Sequence, residues 1–228
     1  MVDAAFEQDW ADREHAFSDY IRAQFAGRWK WIPNIGGWIT TRDPSDYSNL
    51  DGAMIEGFAE WGTGSYLTLG DWKLQLNRLL PLSAAAKILI GQTYPNMNDV
   101  QERMFILGTY LLLKGSHTYI NLEMSGLPEW YPEYNIDLGA PLDPLPAQID
   151  AYRQAGGVYV RHFARGLVAV NPDSSSHTLA MSGTLYRVTP GGGGPVPASG
   201  VPTGSLSTTA ITQLTLPPHQ AAVLLNAP

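Results

Sequence analysis

At 228 residues, 44% hydrophobic and 15% charged, the chain has ordinary globular composition and a length suited to one large or two small domains. A net charge of -7 argues against nucleic acid, whose binding leans on basic patches. The absence of an 18-residue apolar run argues against a membrane span, and the absence of cysteine removes disulfides and thiolate chemistry.

The amino terminus is acidic and amphipathic, so no export signal is visible in the sequence. Phe6, Trp10, Phe17, Ile21 and Phe25 recur at helical spacing, which predicts one amphipathic helix over residues 3–26 with that stripe turned inward. Arg28 to Ile39 carries a short apolar run, Trp31-Ile32-Pro33-Asn34, that ends on an amide before Gly36-Gly37. Asp43-Pro44-Ser45-Asp46 reads as a turn. It leads into Leu50-Asp51-Gly52-Ala53-Met54-Ile55-Glu56-Gly57-Phe58, an apolar run entered and left on an acid. Side chains alternate in an extended chain, so Asp51 and Glu56 point to opposite faces and only one can serve a shared interior.

After a Trp61-Gly62-Thr63-Gly64-Ser65 loop, Asp71 to Ala86 reads as a helix with Trp72, Leu76, Leu79 and Leu80 inward and Pro81 as a break point. Lys87 to Gln92 is the next predicted strand, Asp99 to Lys114 a largely buried helix, and His117 to Glu123 a further strand. Alternation of helix and strand predicts crossovers and a parallel sheet. Each of the four strands ends in a polar group, namely Asn34, Glu56, Gln92 and Glu123, which is how such sheets assemble a site at their carboxyl ends.

Beyond Met124 the composition changes. Residues 126–156 form a proline- and aromatic-rich connection containing Pro128-Glu129-Trp130-Tyr131-Pro132-Glu133-Tyr134. From residue 157 short runs at Val158–Phe163, Gly166–Asn171, His177–Met181, Thr184–Val188, Ile211–Leu216 and Ala221–Leu225 predict a small antiparallel β-sandwich. Gly191 to Ser207 reads as a low-complexity excursion. Its four glycines are not a phosphate loop, since no Lys-Ser or Lys-Thr follows.

Asp51 to Phe58, Trp130 to Tyr134 with Leu138-Gly139-Ala140-Pro141-Leu142, and Arg161-His162-Phe163-Ala164-Arg165-Gly166 through Pro172 together resemble the second half of glycoside hydrolases that combine a TIM barrel with a C-terminal β-domain. The resemblance implies a fold class of α/β plus all-β: a parallel (β/α)4 half-barrel over residues 1–125, then the connection and a β-sandwich over 157–228. Residues 31–34, 50–56, 87–92 and 117–123 would be barrel strands five to eight. A complete barrel needs about 250 residues, so strands one to four and the strand-four acid common in such families are missing. A homodimer through the open edges of the half-barrel would supply eight strands.

The resemblance also implies a carbohydrate substrate, an extracellular setting and a pair of carboxyl groups as the catalytic residues. Glu56 is the first candidate, as an acid whose apolar neighbours would raise its pKa, and Glu123 the second. Asn34 and Gln92 suit sugar hydroxyls, and Trp38, Trp61, Tyr94 and Trp130 suit stacking on sugar rings. Glu133 is a further candidate, or a pin for its own loop. The five histidines show no metal spacing, no G-x-S-x-G elbow is present, and no cofactor is indicated. A catalytically inactive protein that binds carbohydrate is the alternative reading.

Overall fold

The structure, a computed structural model, describes residues 3–39, 43–122 and 126–228. Helix α1 spans Ala4–Phe25, and the Asp3 carboxylate caps it by accepting from Phe6 N at 2.8 Å. Its aromatic stripe does not face inward. Ala11 and Ser18 are its buried residues, while Phe6, Trp10 and Phe17 are 55%, 62% and 54% exposed. Polar contacts decide which face is turned in: Arg22 pairs with Asp51 at 3.4 Å, Asn49 donates to the His15 carbonyl at 3.0 Å, and Trp31 Nε1 donates to Ser18 Oγ at 3.3 Å.

Strands β1 (Gly52–Glu56), β2 (Ile88–Thr93) and β3 (Thr118–Leu122) form a parallel sheet in that order. Helix α2 (Leu69–Ala84) connects the first pair and α3 (Val100–Leu113) the second. The expected (β/α)4 half-barrel is therefore not what the chain builds. Among the described residues there are three α-helices and a three-stranded parallel sheet. The segment expected as a fourth strand, residues 31–34, adds a single parallel bridge, Asn34 to Met54. Pro33 has no N–H to extend that ladder, and the chain turns away at Gly36, where φ is +62°. Completion of a barrel by a second copy was founded on four strands and loses that footing.

Trp72, Leu76, Leu79 and Leu80 of α2 are fully buried, as their spacing predicts, and Pro81 sits inside α2 without ending it. On β1, Ala53 and Ile55 are buried at 0% and 1% exposure, so Met54 and Glu56 lie on the opposite, more open face.

The carboxyl-terminal part is a second correction. It begins with β4 (Glu129–Trp130), β5 (Tyr159–Phe163), β6 (Gly166–Asn171) and β7 (His177–Leu179). It continues with β8 (Leu185–Gly191), β9 (Gly194–Pro195), β10 (Ser205–Ile211), β11 (Leu214–Leu216) and β12 (Gln220–Leu225). One five-stranded antiparallel sheet, ordered β10-β8-β12-β6-β5, is accompanied by two-stranded ladders β11-β7 and β4-β9. In place of the expected sandwich there is one five-stranded sheet, with α3 packed on one face and the short β11-β7 ladder on the other. A Cβ on Gly108 of α3 would stand 2.5 Å from Ala221 Cβ and 3.1 Å from Val170 Cγ2, so glycine permits the close approach.

Arg161 on β5, 2% exposed, donates to the carbonyls of Leu111 at 2.9 Å and Lys114 at 2.8 Å, satisfying the end of α3. One apolar cluster runs from Ala53 and Leu76 through Phe105 and Leu112 to Val168, Val170 and Val223. Among the described residues, no helix is long and apolar enough to cross a membrane.

Candidate functional site

Parallel register brings the polar strand ends together. Glu56 pairs in register with Gln92, and Gln92 with Asn121, at the carboxyl edge of the sheet. Asn34 joins them beside β1 through its bridge to Met54. Its amide orientation is fixed, because Gly36 N donates to Oδ1 at 2.9 Å and leaves Nδ2 to donate to Glu56 Oε2 at 2.8 Å. The second Glu56 oxygen accepts from the Tyr94 hydroxyl at 2.8 Å, and that hydroxyl in turn accepts from Gln92 Nε2 at 2.9 Å.

The Asn34 amide and then the Tyr94 hydroxyl, each a neutral donor to the ionised form, hold the Glu56 carboxyl below its ordinary range. This reverses the expectation that apolar neighbours would raise it. The donors come from neighbouring segments, and they outweigh a small desolvation. A carboxyl held ionised suits a nucleophile, base or charge-stabilising group better than a proton donor.

Trp61 stands beside this group. Its indole lies so close that a Cβ on Gly37 or Gly57 would be 2.8 Å or 2.7 Å from the ring, yet it remains 52% exposed. Gln75, on the buried face of α2, braces the two glycines: its Nε2 donates to Gly37 O at 2.8 Å and Gly57 O at 3.1 Å, and its Oε1 accepts from Ala59 N at 3.0 Å. Sequence reading missed Gln75. The available signal was a polar residue among Trp72, Leu76 and Leu79 on an otherwise apolar helix face.

The other expected residues that the structure describes have partners of their own. Trp38 packs edge-on against Tyr47 at 4.9 Å beneath the Arg78 guanidinium at 5.2 Å. Trp130 belongs to the β4-β9 ladder, opposite Gly194. Glu133 is buried in an ion pair with Arg103 at 2.6 Å, and the Arg103 guanidinium also covers the Tyr131 ring at 4.5 Å. Glu123 lies outside the described residues. Asp51 sits at the opposite end of β1 from Glu56, where its Oδ2 accepts from Trp31 N at 3.0 Å. Among the described residues, no group of three or more His, Asp or Glu could hold a metal ion.

A cleft of about 670 Å³ adjoins Glu56 through Asn34 and runs along α1, where Phe6 and Trp10 stack at 6.4 Å above Ile35 and Tyr47. The site is therefore a half-buried carboxylate with amide and hydroxyl donors, flanked by exposed indoles. A family profile described as hypothetical glycosyl hydrolase family 15 matches residues 2–167, from α1 to the start of β6. The chain belongs to this family. The match to hypothetical glycosyl hydrolase family 15 includes every element that carries the Glu56 group, and it ends before most of the five-stranded sheet. No curated protein matches the chain.

Proposed function

We propose that the chain acts on a poly- or oligosaccharide, with Glu56 as the reacting carboxylate at the edge of the parallel sheet. The observation that carries this reading is the pair of neutral donors, Asn34 and Tyr94, which keep Glu56 ionised and aimed from two sides. An ionised carboxylate can attack the anomeric carbon or stabilise positive charge developing there, while a second, protonated carboxyl gives its proton to the leaving oxygen. Glu123, two residues beyond Asn121, is the proposed proton donor. Trp61 and the Phe6–Trp10 pair are proposed platforms for sugar rings on either side, with Asn34 and Gln92 serving hydroxyls. Membership of a hypothetical glycosyl hydrolase family supports the reaction class.

A second reading, carbohydrate binding without hydrolysis, is favoured by one observation. The side chains that hydrogen-bond Glu56 among the described residues are both neutral, and a carboxyl group is not one of them. Incubation with a panel of oligosaccharides, read by release of new reducing ends, separates the two. Release supports the hydrolase; calorimetric binding without release at any pH supports the binding protein.

A further inference from the structure

The loop after β1, residues 57–66, carries Trp61, and the loop after β2, residues 94–99, carries Tyr94. Between them lie two buried acids that the Glu56 chemistry does not use. Glu60 is 0% exposed and Glu102, in the first turn of α3, is 1% exposed. Glu102 ties the loops together: one carboxylate oxygen accepts from Gly64 N and the other from Asn96 N at 2.8 Å. Thr63 N reinforces the link by donating to Tyr94 O at 3.0 Å. Glu102 acts on the buried Glu60 carboxyl, as does the Thr93 hydroxyl, yet neither Glu60 carboxyl oxygen has a partner at hydrogen-bond geometry among the described residues.

Two carboxylates cannot donate to each other, and two ionised ones repel in a site closed to water. One proton converts that repulsion into a strong O–H···O bond. The groups facing Glu60 are Glu102 and Asp99 from α3 and its cap and Tyr66 from its own loop, with the Thr93 hydroxyl on its backbone carbonyl oxygen. His219 stacks on Tyr66 at 4.5 Å. No lysine or arginine is among the groups acting on Glu60.

We propose that Glu60 and Glu102 are a proton-sharing carboxyl pair that positions Tyr94 and Trp61 around Glu56. Glu60 holds the proton and donates it to the Glu102 carboxylate, and Glu102 keeps its hold on Gly64 and Asn96. Burial and then the Glu102 charge push the Glu60 carboxyl up to about 8, so the pair holds its proton at neutral pH. Above that, the proton leaves to bulk water, the carboxylates separate and the loop link fails. Both are positioning residues. Their importance for sugar chemistry rests on the proposed role of Glu56, but the pairing does not.

The test is amide hydrogen exchange at Gly64 and Asn96 from about pH 6 to 9.5, each pH compared with Glu60→Gln, whose neutral amide can still donate to Glu102. The expected ratio of protection factors, wild type to variant, falls progressively by at least about tenfold between pH 6 and 8 and is flat beyond, because the opened loops release the Glu60 proton at the ordinary carboxylate value. A ratio that stays constant throughout overturns the proposal. Should Glu60→Gln fail to fold, Glu102→Gln gives the second arm through a carbon-13 titration of the Glu60 carboxyl. Its midpoint should drop once the neighbouring charge is gone, and an unmoved midpoint overturns the pairing. Because neither arm uses a glycan, a falling ratio without hydrolysis keeps the pair and counts against the hydrolase, whereas hydrolysis without the fall does the reverse.

Discussion

Asn34 and Tyr94 act on Glu56 through single hydrogen bonds, so each can be removed without disturbing the sheet. Asn34→Ala and Tyr94→Phe are each expected to move the Glu56 titration upward toward the ordinary carboxylate value, Asn34→Ala by more, as read from its carbon-13 carboxyl resonance. Glu60 should leave a signature of opposite sign. Its folded value near 8 lies above the ordinary 4.5. Its contribution to stability is therefore full below about pH 4.5, falls as pH rises toward 8, and is flat beyond, a change on the order of a few kcal/mol. Melting curves of wild type and Glu60→Gln should converge at low pH and diverge across that window, and parallel curves would contradict it. Glu56, Asn34 and Gln92 were legible in the sequence because each ends a short apolar run. The direction of the Glu56 shift was not, since its donors arrive through inter-strand register. Glu60 was not legible as a buried acid, because nothing in a Glu-Trp-Gly-Thr-Gly loop announces burial.

Packing between elements depends on a few close approaches and buried pairs. Gly108→Ala should cost about 1–3 kcal/mol through the Ala221 clash, even though alanine favours a helix by about 1 kcal/mol. Denaturant unfolding would show it, and a neutral result would mean that α3 and β12 can separate freely. Arg103→Met leaves Glu133 buried and unpaired, for a loss of about 3–5 kcal/mol, while the double replacement Arg103→Met with Glu133→Leu should recover much of it. A double-mutant cycle checks this directly. At this scale α2, α3 and β2 follow from apolar spacing and caps. The run 31–34 reads as a strand, but Pro33 limits it to one bridge. The stretch through Ser207 reads as low complexity, yet Ser205–Ile211 pairs along the whole of β8, because an exposed edge strand needs backbone partners and little apolar content.

Across the molecule, the parallel sheet and the five-stranded sheet share one apolar cluster through α3. Thermal unfolding followed at far-ultraviolet and tryptophan signals should therefore give coincident transitions, and two separated midpoints would contradict a shared core. Alternating helices and strands made the parallel sheet legible. The count of its strands and the packing of α3 on β6 and β12 were not, since both depend on long-range contacts such as that at Gly108. The same long-range arrangement sets Glu56 between Asn34 and Tyr94, and the function proposed for that edge stands or falls on its carboxylate. The decisive measurement is oligosaccharide hydrolysis by wild type and Glu56→Gln side by side. Turnover should fall by about 10²–10⁴-fold in the variant while oligosaccharide binding is kept, and hydrolysis that survives the substitution unchanged would contradict the assignment of Glu56.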